Sequence, residues 1–255
     1  MVVTLTATAQ DLPTLTSPNG RVTAAISRTS TKTQLTIGTP DVANLTKVQL
    51  GLELQGSKAA ETNLYNRLQV VSVSDVTTLT EDYTLIHGKT SHATNEATAV
   101  TVHLKNSSGL LLDVEVRAYN DGVAFRYIVP EGEGGAVERV LQQEMTSYTI
   151  VNTMKRWLQP ESSAYEGDFP YQASGGQTGG WLYPCLFERN GSFVLITEAG
   201  MEGQWCSTHL DNTLSSGQYK VALSGNPKWT GEWKSPWRVV MIGGLKDIVE
   251  IKFKK

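Results

Sequence analysis

The sequence predicts an all-β protein, a sandwich of two large, mostly antiparallel sheets. Its 255 residues include 29 threonines, and threonine favours strands. Apolar and polar residues alternate along much of the chain, and short turn motifs rather than helical segments separate the alternating runs. Because a seven-stranded sandwich takes only about 100 residues, a single sandwich of this length must have large sheets.

The first half of the chain contains a turn followed by several alternating segments. Ser17–Gly20 predicts a turn ahead of a strand over Val22–Ser27, since Pro, Asn and Gly favour turns. Apolar residues occupy every second position over Lys47–Leu54 and again over Ala99–Lys105. Each run therefore predicts a strand with one buried face.

Two hairpins are predicted further along the chain. Leu110–Val129 alternates on both sides of Asp121-Gly122, a pair that favours a tight hairpin turn. Asn190-Gly191 separates the runs Leu182–Glu188 and Ser192–Glu198 in the same way. A last strand is predicted over Trp237–Ile242.

Composition and charge exclude two classes of partner. The chain is 40% hydrophobic and 18% charged, with a net charge of -3 at pH 7. A nucleic-acid partner needs a basic face, so no nucleic-acid binding is expected. No stretch approaches the roughly 18–20 apolar residues of a membrane helix, so no membrane span is expected.

The two ends of the chain and its cysteines give weaker signals. Ala7-Thr-Ala9 has the small-x-small form of a secretory cleavage site. Residues 1–16 are therefore interpreted as a signal-peptide remnant and disordered lead, or as an ordinary frayed terminus, and the protein as periplasmic or secreted. The sandwich is expected over 17–250, and 251–255 is interpreted as a truncated or out-of-frame tail. Cys185 and Cys206 form either a disulfide or two buried free thiols.

Few residues suggest chemistry by themselves. A glycosidic acid–base pair needs two neighbouring carboxylates, which sequence position does not identify among 25 acidic residues. Glu198 ends an apolar run beside Ala199-Gly200, where a carboxylate either binds calcium or is a solvated charge. Aromatic side chains that either stack on sugar rings or fill the core crowd the last third of the chain: Trp157, Tyr165, Phe169, Tyr171, Trp181, Tyr183, Trp205, Trp229, Trp233 and Trp237.

Several segments together resemble the amino-terminal domain of glycoside hydrolase family 97. The strongest is Asp113–Tyr127, which contains Arg-Ala-Tyr-Asn-Asp-Gly-Val-Ala-Phe-Arg-Tyr. The remaining similar segments follow in order: Glu144–Tyr148, Tyr165-Glu166, Leu195–Ala199 and Ser235–Gly243. The resemblance extends from about Ser17 to Glu250.

This resemblance implies a β-super-sandwich of the galactose-mutarotase type. In the family, the domain packs on a catalytic (β/α)8 barrel that hydrolyses α-glucosidic or α-galactosidic bonds, and calcium binds at the active site. The position that matches the domain's calcium ligand is Glu198. Tyr165, Glu166 and Trp205 are the candidates for substrate binding, and no residue of this chain is assigned a catalytic role.

The barrel is absent from these 255 residues, so the chain is expected to be inactive alone. Calcium is expected only in the full-length enzyme, with none bound to the isolated chain. Glu198 is expected at an exposed strand end, free of any structural salt bridge, with Tyr165 and Trp205 unusually exposed beside it. The alternative is a stand-alone carbohydrate-binding or protein-interaction module. A mutarotase-like enzyme would need a histidine and a carboxylate in one cleft, which the sequence does not show.

Overall fold

The computed structural model describes residues 12–42, 44–84, 91–132, 136–164, 166–215 and 217–249. Strands dominate these residues. Through the first half of the chain the elements are β1 Thr14–Thr16, β2 Thr23–Arg28, β3 Thr33–Gly38, β4 Thr46–Leu50, β5 Leu52–Leu54, α1 Ala59–Thr62, β6 Asn63–Leu64, β7 Gln69–Val73, β8 Thr77–Thr84, β9 His92–Lys105, β10 Leu111–Tyr119 and β11 Gly122–Val129.

The second half continues with β12 Glu138–Glu144, β13 Ser147–Thr149, β14 Lys155–Pro160, β15 Tyr171–Gln172, β16 Gly180–Arg189, β17 Ser192–Ala199, β18 Thr208–Asp211, β19 Gln218–Leu223, β20 Lys228–Thr230, β21 Trp233–Lys234, β22 Trp237–Gly243 and α2 Leu245–Val249. The helices described are only 4 and 5 residues long. The all-β prediction is confirmed.

The strands form two large antiparallel layers. One layer runs β1-β2-β3-β4-β13-β19-β18. The other runs β16-β17-β22-β11-β10-β9-β8, with β14 beside β16 and β15 beside β14. A short pairing of β16 with β18 joins the layers into one 18-stranded network, and β20, β12, β5 and β6 form a second, 4-stranded sheet. The predicted sandwich is therefore present.

The core lies between the two layers and contains aromatic as well as aliphatic side chains. Phe187 of β16 packs edge-on against Tyr219 of β19, with ring centroids 5.1 Å apart. The buried Tyr127 of β11 accepts a hydrogen bond at 2.9 Å from the backbone N–H of Gly51. These contacts tie together segments that the sequence places far apart.

The hairpin of β10 and β11 corrects the predicted turn. Tyr119 pairs with Gly122, so the two-residue loop is Asn120-Asp121 rather than Asp121-Gly122. Gly122 is the first residue of β11, where a Cβ atom would lie 2.5 Å from the carbonyl oxygen of Val240. Glycine is needed here because the backbone of β22 approaches closely, not because the turn needs a positive φ.

Two other predicted turns are confirmed. Asn190 and Gly191 adopt φ values of 54° and 80° between β16 and β17, as a two-residue hairpin loop of type I′ requires. Ahead of β2, the N–H of Gly20 donates to the carbonyl of Ser17 at 2.8 Å. Both turns follow from residues that accept left-handed backbone conformations.

The alternating run Lys47–Leu54 is not one continuous strand. It breaks at Gly51, whose φ is 138°, and β5 then joins the small sheet instead of continuing β4. Leu50 and Leu52 are both buried. Alternation thus predicted the buried positions correctly, although the backbone changes sheets between them.

The ends of the fold and its cysteines refine three predictions. Strand β1 and the buried Leu15 show that the sandwich begins before residue 17, so the predicted lead 1–16 is too long. Residues 1–11 and 250–255 lie outside the described residues. Both cysteines are free thiols, Cys185 buried and Cys206 only partly so.

Across the part of the chain that the structure describes, no helix is long and apolar enough to cross a membrane.

Candidate functional site

A buried arginine organises one end of the sandwich. The alternation of β22 turns Arg238 inward together with Val240 and Ile242, and all three are buried. Arg238 forms a two-point ion pair with Glu144: Nε donates to Oε1 at 2.9 Å and Nη2 to Oε2 at 2.6 Å. Both side chains are 0% exposed. The pair satisfies charges that would otherwise be very costly to bury.

Glu198 joins this ion pair from the neighbouring strand. It is the register partner of Arg238, so both side chains lie on the same face. Its Oε2 accepts hydrogen bonds from Nη1 of Arg238 and, at 2.6 Å, from the hydroxyl of Thr208. No described residue donates a hydrogen bond to Oε1. The side chain is 10% exposed, one residue before the end of β17.

The cluster of Glu144, Glu198 and Arg238 has more negative than positive charge. Burial by itself would lower the pKa of Arg238, but the carboxylates of Glu144 and Glu198 raise it well above its usual value. The guanidinium therefore stays charged and balances one of the two carboxylates. The remaining negative charge is an electrostatic reason for a cation to bind beside Glu198.

The expectation for Glu198 was right in part. The residue does lie at a strand end with some exposure. The expectation that it is free of a structural salt bridge is wrong, because Arg238 holds its Oε2. The reason is the register of β17 on β22, which alternation along either strand does not reveal.

The substrate-binding candidates do not form one group in the structure. Trp205 packs against the core and is only partly exposed, so its expected unusual exposure is wrong. Its ring lies 5.4 Å from the guanidinium carbon of Arg238 and 5.5 Å from the ring of Trp233. Glu166 is exposed, and Tyr165 lies outside the described residues.

An open groove of about 880 Å³ lies beside this end of β17. Gly200, two residues after Glu198, is one of the residues that line the groove. The other lining residues include Met201, Glu202, Trp205, Trp233, Lys234 and Trp237, most of which are aromatic or charged. Such a mixed surface is suited to a polar ligand or to another domain.

Trp237 is held on the outer face of the sheet by two arginines. The guanidinium carbons of Arg117 and Arg126 lie 4.5 and 4.3 Å from its ring centroid. Both arginines also bind Glu115, at 2.8 Å each. This network positions one wall of the groove.

Sequence reasoning assigned no role to Arg238 or Glu144. A signal was present, because Arg238 occupies an inward position of an otherwise apolar strand and such an arginine needs a buried partner. The identity of that partner could not be deduced, since Glu144 lies 94 residues earlier.

The donor atoms present suit one calcium ligand rather than a complete site. A carboxylate oxygen is the ligand type that calcium prefers, but calcium takes about 6–8 oxygens. Among the described residues, no group of three or more His, Cys, Asp or Glu side chains could hold a metal ion. Glu198 fits the ion only if the other ligands come from elsewhere.

Histidine–carboxylate pairs occur outside the groove. His103 Nδ1 lies 2.8 Å from Asp113 Oδ1, and His209 Nε2 lies 3.5 Å from Glu161 Oε2. None of these four residues lines the groove beside Glu198. A mutarotase-like centre at Glu198 is therefore not supported.

Comparison with known proteins relates the chain to parts of longer enzymes. It is 27% identical over 175 residues to the "Probable retaining alpha-galactosidase" of Streptomyces bingchenggensis (strain BCW-1), a match that covers 68% of this chain and 27% of that protein. A solved β-arabinopyranosidase is 25% identical with a TM-score of 0.84, covering 94% of this chain and 41% of that one.

A family 97 glycoside hydrolase from Pseudoalteromonas sp. strain K8, solved with acarbose, has the same fold, with a TM-score of 0.83 at 22% identity. That match covers 94% of this chain and 37% of the enzyme. The chain thus spans less than half the length of each of these relatives. The sequence profile of the glycosyl-hydrolase 97 N-terminal domain matches residues 15–253. The chain therefore belongs to the N-terminal domain family of glycosyl hydrolase 97.

Proposed function

We propose that this domain packs on a catalytic (β/α)8 barrel and supplies one calcium ligand, Glu198, to the active site formed there. The observation that carries the proposal is the state of the Glu198 carboxylate. Arg238 and Thr208 hold its Oε2, while no described residue donates a hydrogen bond to its Oε1. A carboxylate fixed through one oxygen presents the other in a defined direction.

The substrate proposed for the intact enzyme is an α-linked oligosaccharide, and the proposed location is the periplasm or the cell exterior. Support comes from the family match and from the relative described as a probable retaining α-galactosidase. Calcium, when bound, would stabilise negative charge at the reacting centre. The domain itself would orient Glu198 and cover one side of the site.

The isolated chain is expected to hydrolyse neither aryl α-glucosides nor aryl α-galactosides, with or without calcium. Hydrolysis needs an acid and a base that flank the bond together, and both are proposed to lie in the barrel. Calcium-dependent turnover by the purified chain would overturn this assignment. Mass spectrometry under non-denaturing conditions should also find no retained calcium.

The coding sequence downstream of Lys255 separates the proposal from the alternative of a stand-alone module. A barrel supports the proposal, whereas an unrelated gene supports the alternative. If a barrel is present, Glu198→Gln in the continuous protein should raise the calcium concentration needed for half-maximal activity about tenfold or more. Glu202→Gln, an exposed change in the groove beside Glu198, is the matched control and should leave that calcium concentration unchanged.

A further inference from the structure

A second aromatic surface lies on the outer face of the sheet, away from the Glu198 cluster. We propose that Trp157, Tyr171 and Phe193 form a platform that binds the uncharged pyranose rings of an oligosaccharide. This aromatic platform goes beyond the proposed function, because it requires neither calcium nor the barrel.

Strand register places the three rings on one face. Trp157 of β14 is the partner of Tyr171 on β15 and of Leu186 on β16. Glu188, two residues after Leu186 and on the same face of β16, is the partner of Phe193 on β17. Since partners in register point to the same side, these side chains share the outer face.

The rings are close together, Tyr171 is widely exposed, and Trp157 and Phe193 are partly exposed. The centroid of Trp157 lies 5.4 Å from that of Tyr171 and 6.4 Å from that of Phe193, with interplanar angles of 45° and 28°. Tyr171 is 54% exposed, which is high for a tyrosine that packs against another ring. Such a surface offers apolar area to the C–H face of a sugar and a phenol group at its edge.

The indole N–H of Trp157 is available to a ligand. No described residue accepts a hydrogen bond from it. The indole N–H groups of Trp205 and Trp229 are buried without a partner, but the N–H of Trp157 is not one of these buried groups. By contrast, the N–H of the buried Trp181 donates to Asn212 at 2.8 Å. Trp157 can therefore donate to a sugar hydroxyl.

The charged groups on these segments are one ion pair and two exposed carboxylates. Lys155, two residues before Trp157 on β14, is the register partner of Glu188 on β16. The Nζ atom of Lys155 lies 3.0 Å from Oε2 of Glu188. Lys155 is 52% exposed and can donate to hydroxyl groups, while the buried Glu188 cancels its charge. Asp168 and Glu166, both exposed, precede Tyr171 and would repel an anionic ligand. An uncharged sugar fits this arrangement best.

The platform and Glu198 are separate sites. Phe193 and Glu198 lie five residues apart on β17, a distance of roughly 16 Å along a strand. An odd spacing also directs the two side chains to opposite faces of the sheet. An oligosaccharide could therefore bind the platform without contacting the calcium ligand.

The test is titration of the purified 255-residue chain with maltopentaose, followed by calorimetry and by saturation-transfer NMR. Binding is expected at millimolar sugar, with transfer to the ring protons of the ligand. Tyr171→Ala should weaken binding about tenfold, and Tyr171→Phe should largely restore it. Thermal unfolding of Tyr171→Ala should match that of the unchanged chain, since the side chain is exposed.

Two controls separate the platform from other sites. Phe169→Ala removes a neighbouring ring that is 41% exposed and lies outside the stack, and it should not change the affinity. Glu198→Gln should also bind normally. The proposal is overturned if the chain does not bind maltopentaose or if Tyr171→Ala binds as well as the unchanged chain. It is also overturned if Glu198→Gln abolishes binding, a result that would place the sugar at the calcium ligand and leave the proposed function standing.

Discussion

Arg238 and Glu144 form a two-point ion pair across 94 residues of sequence, in a place that solvent does not reach. The same guanidinium also holds Glu198. One arginine thus connects β12, β17 and β22 at the end of the sandwich where the groove lies. Loss of this pair would leave a buried charge without its partner.

Glu144→Gln should destabilise the fold by about 3–5 kcal/mol, because it leaves Arg238 buried with too little compensating charge. Urea unfolding followed by tryptophan fluorescence measures this change. The triple variant Glu144→Leu, Arg238→Met and Glu198→Gln removes all three charges and should lose less stability than the single variant. A triple variant that is less stable than Glu144→Gln would contradict this account.

Gly122→Ala should destabilise the protein by about 1–3 kcal/mol or more, since its Cβ would overlap the backbone of β22. Gly191→Ala is the matched comparison: no atom lies within 4 Å of its Cβ, but its φ is 80°. That change should cost about 1 kcal/mol through backbone strain alone. Equal losses in urea unfolding would show that close approach is not the reason for glycine at 122.

Glu188 should contribute stability that depends on pH. Hydrogen bonds from the N–H of Gly191 and from Lys155 lower its pKa below the ordinary 4.5. A lowered pKa in the folded state stabilises the protein above the unfolded pKa, and the contribution is lost as pH falls through the folded value. The unfolding temperatures of the unchanged chain and Glu188→Gln should therefore differ at pH 6 and converge in more acidic buffer, to about pH 2–3.

Glu138→Gln serves as the control in the same acid titration. Glu138 faces Lys228 at 3.8 Å, with both side chains well exposed, and such pairs contribute little. Its unfolding temperature should follow that of the unchanged chain throughout. A gap for Glu188→Gln that persists in strong acid would mean that the variant alters packing rather than charge.

The two cysteines should differ in reactivity. Burial raises the pKa of the Cys185 thiol, and only a thiolate reacts with a disulfide reagent. Cys206 is partly exposed. A chromogenic disulfide reagent should therefore modify about one thiol per native chain and both in urea, and peptide mapping should identify Cys206 as the first. Rapid modification of Cys185 in the native chain would contradict its burial.

The sequence by itself determined the all-β character, several of the strands and much of the core. Alternation requires only that one face of each strand be apolar, so it predicted the buried Val114 and Val116 and the turn at Asn190-Gly191 without any long-range information. The family resemblance was likewise carried by local motifs, and it was confirmed over residues 15–253.

Only the tertiary structure decided which of these faces meet. Glycine is required at position 122 because the backbone of a strand more than 100 residues away approaches it closely. The register of β17 on β22 decides that Arg238 is the partner of Glu198. The aromatic platform likewise arises because β14, β15 and β17 carry their rings to one side of the sheet. Local patterning fixes the face on which a side chain lies, whereas pairing between distant strands, a long-range property, fixes the residues it contacts.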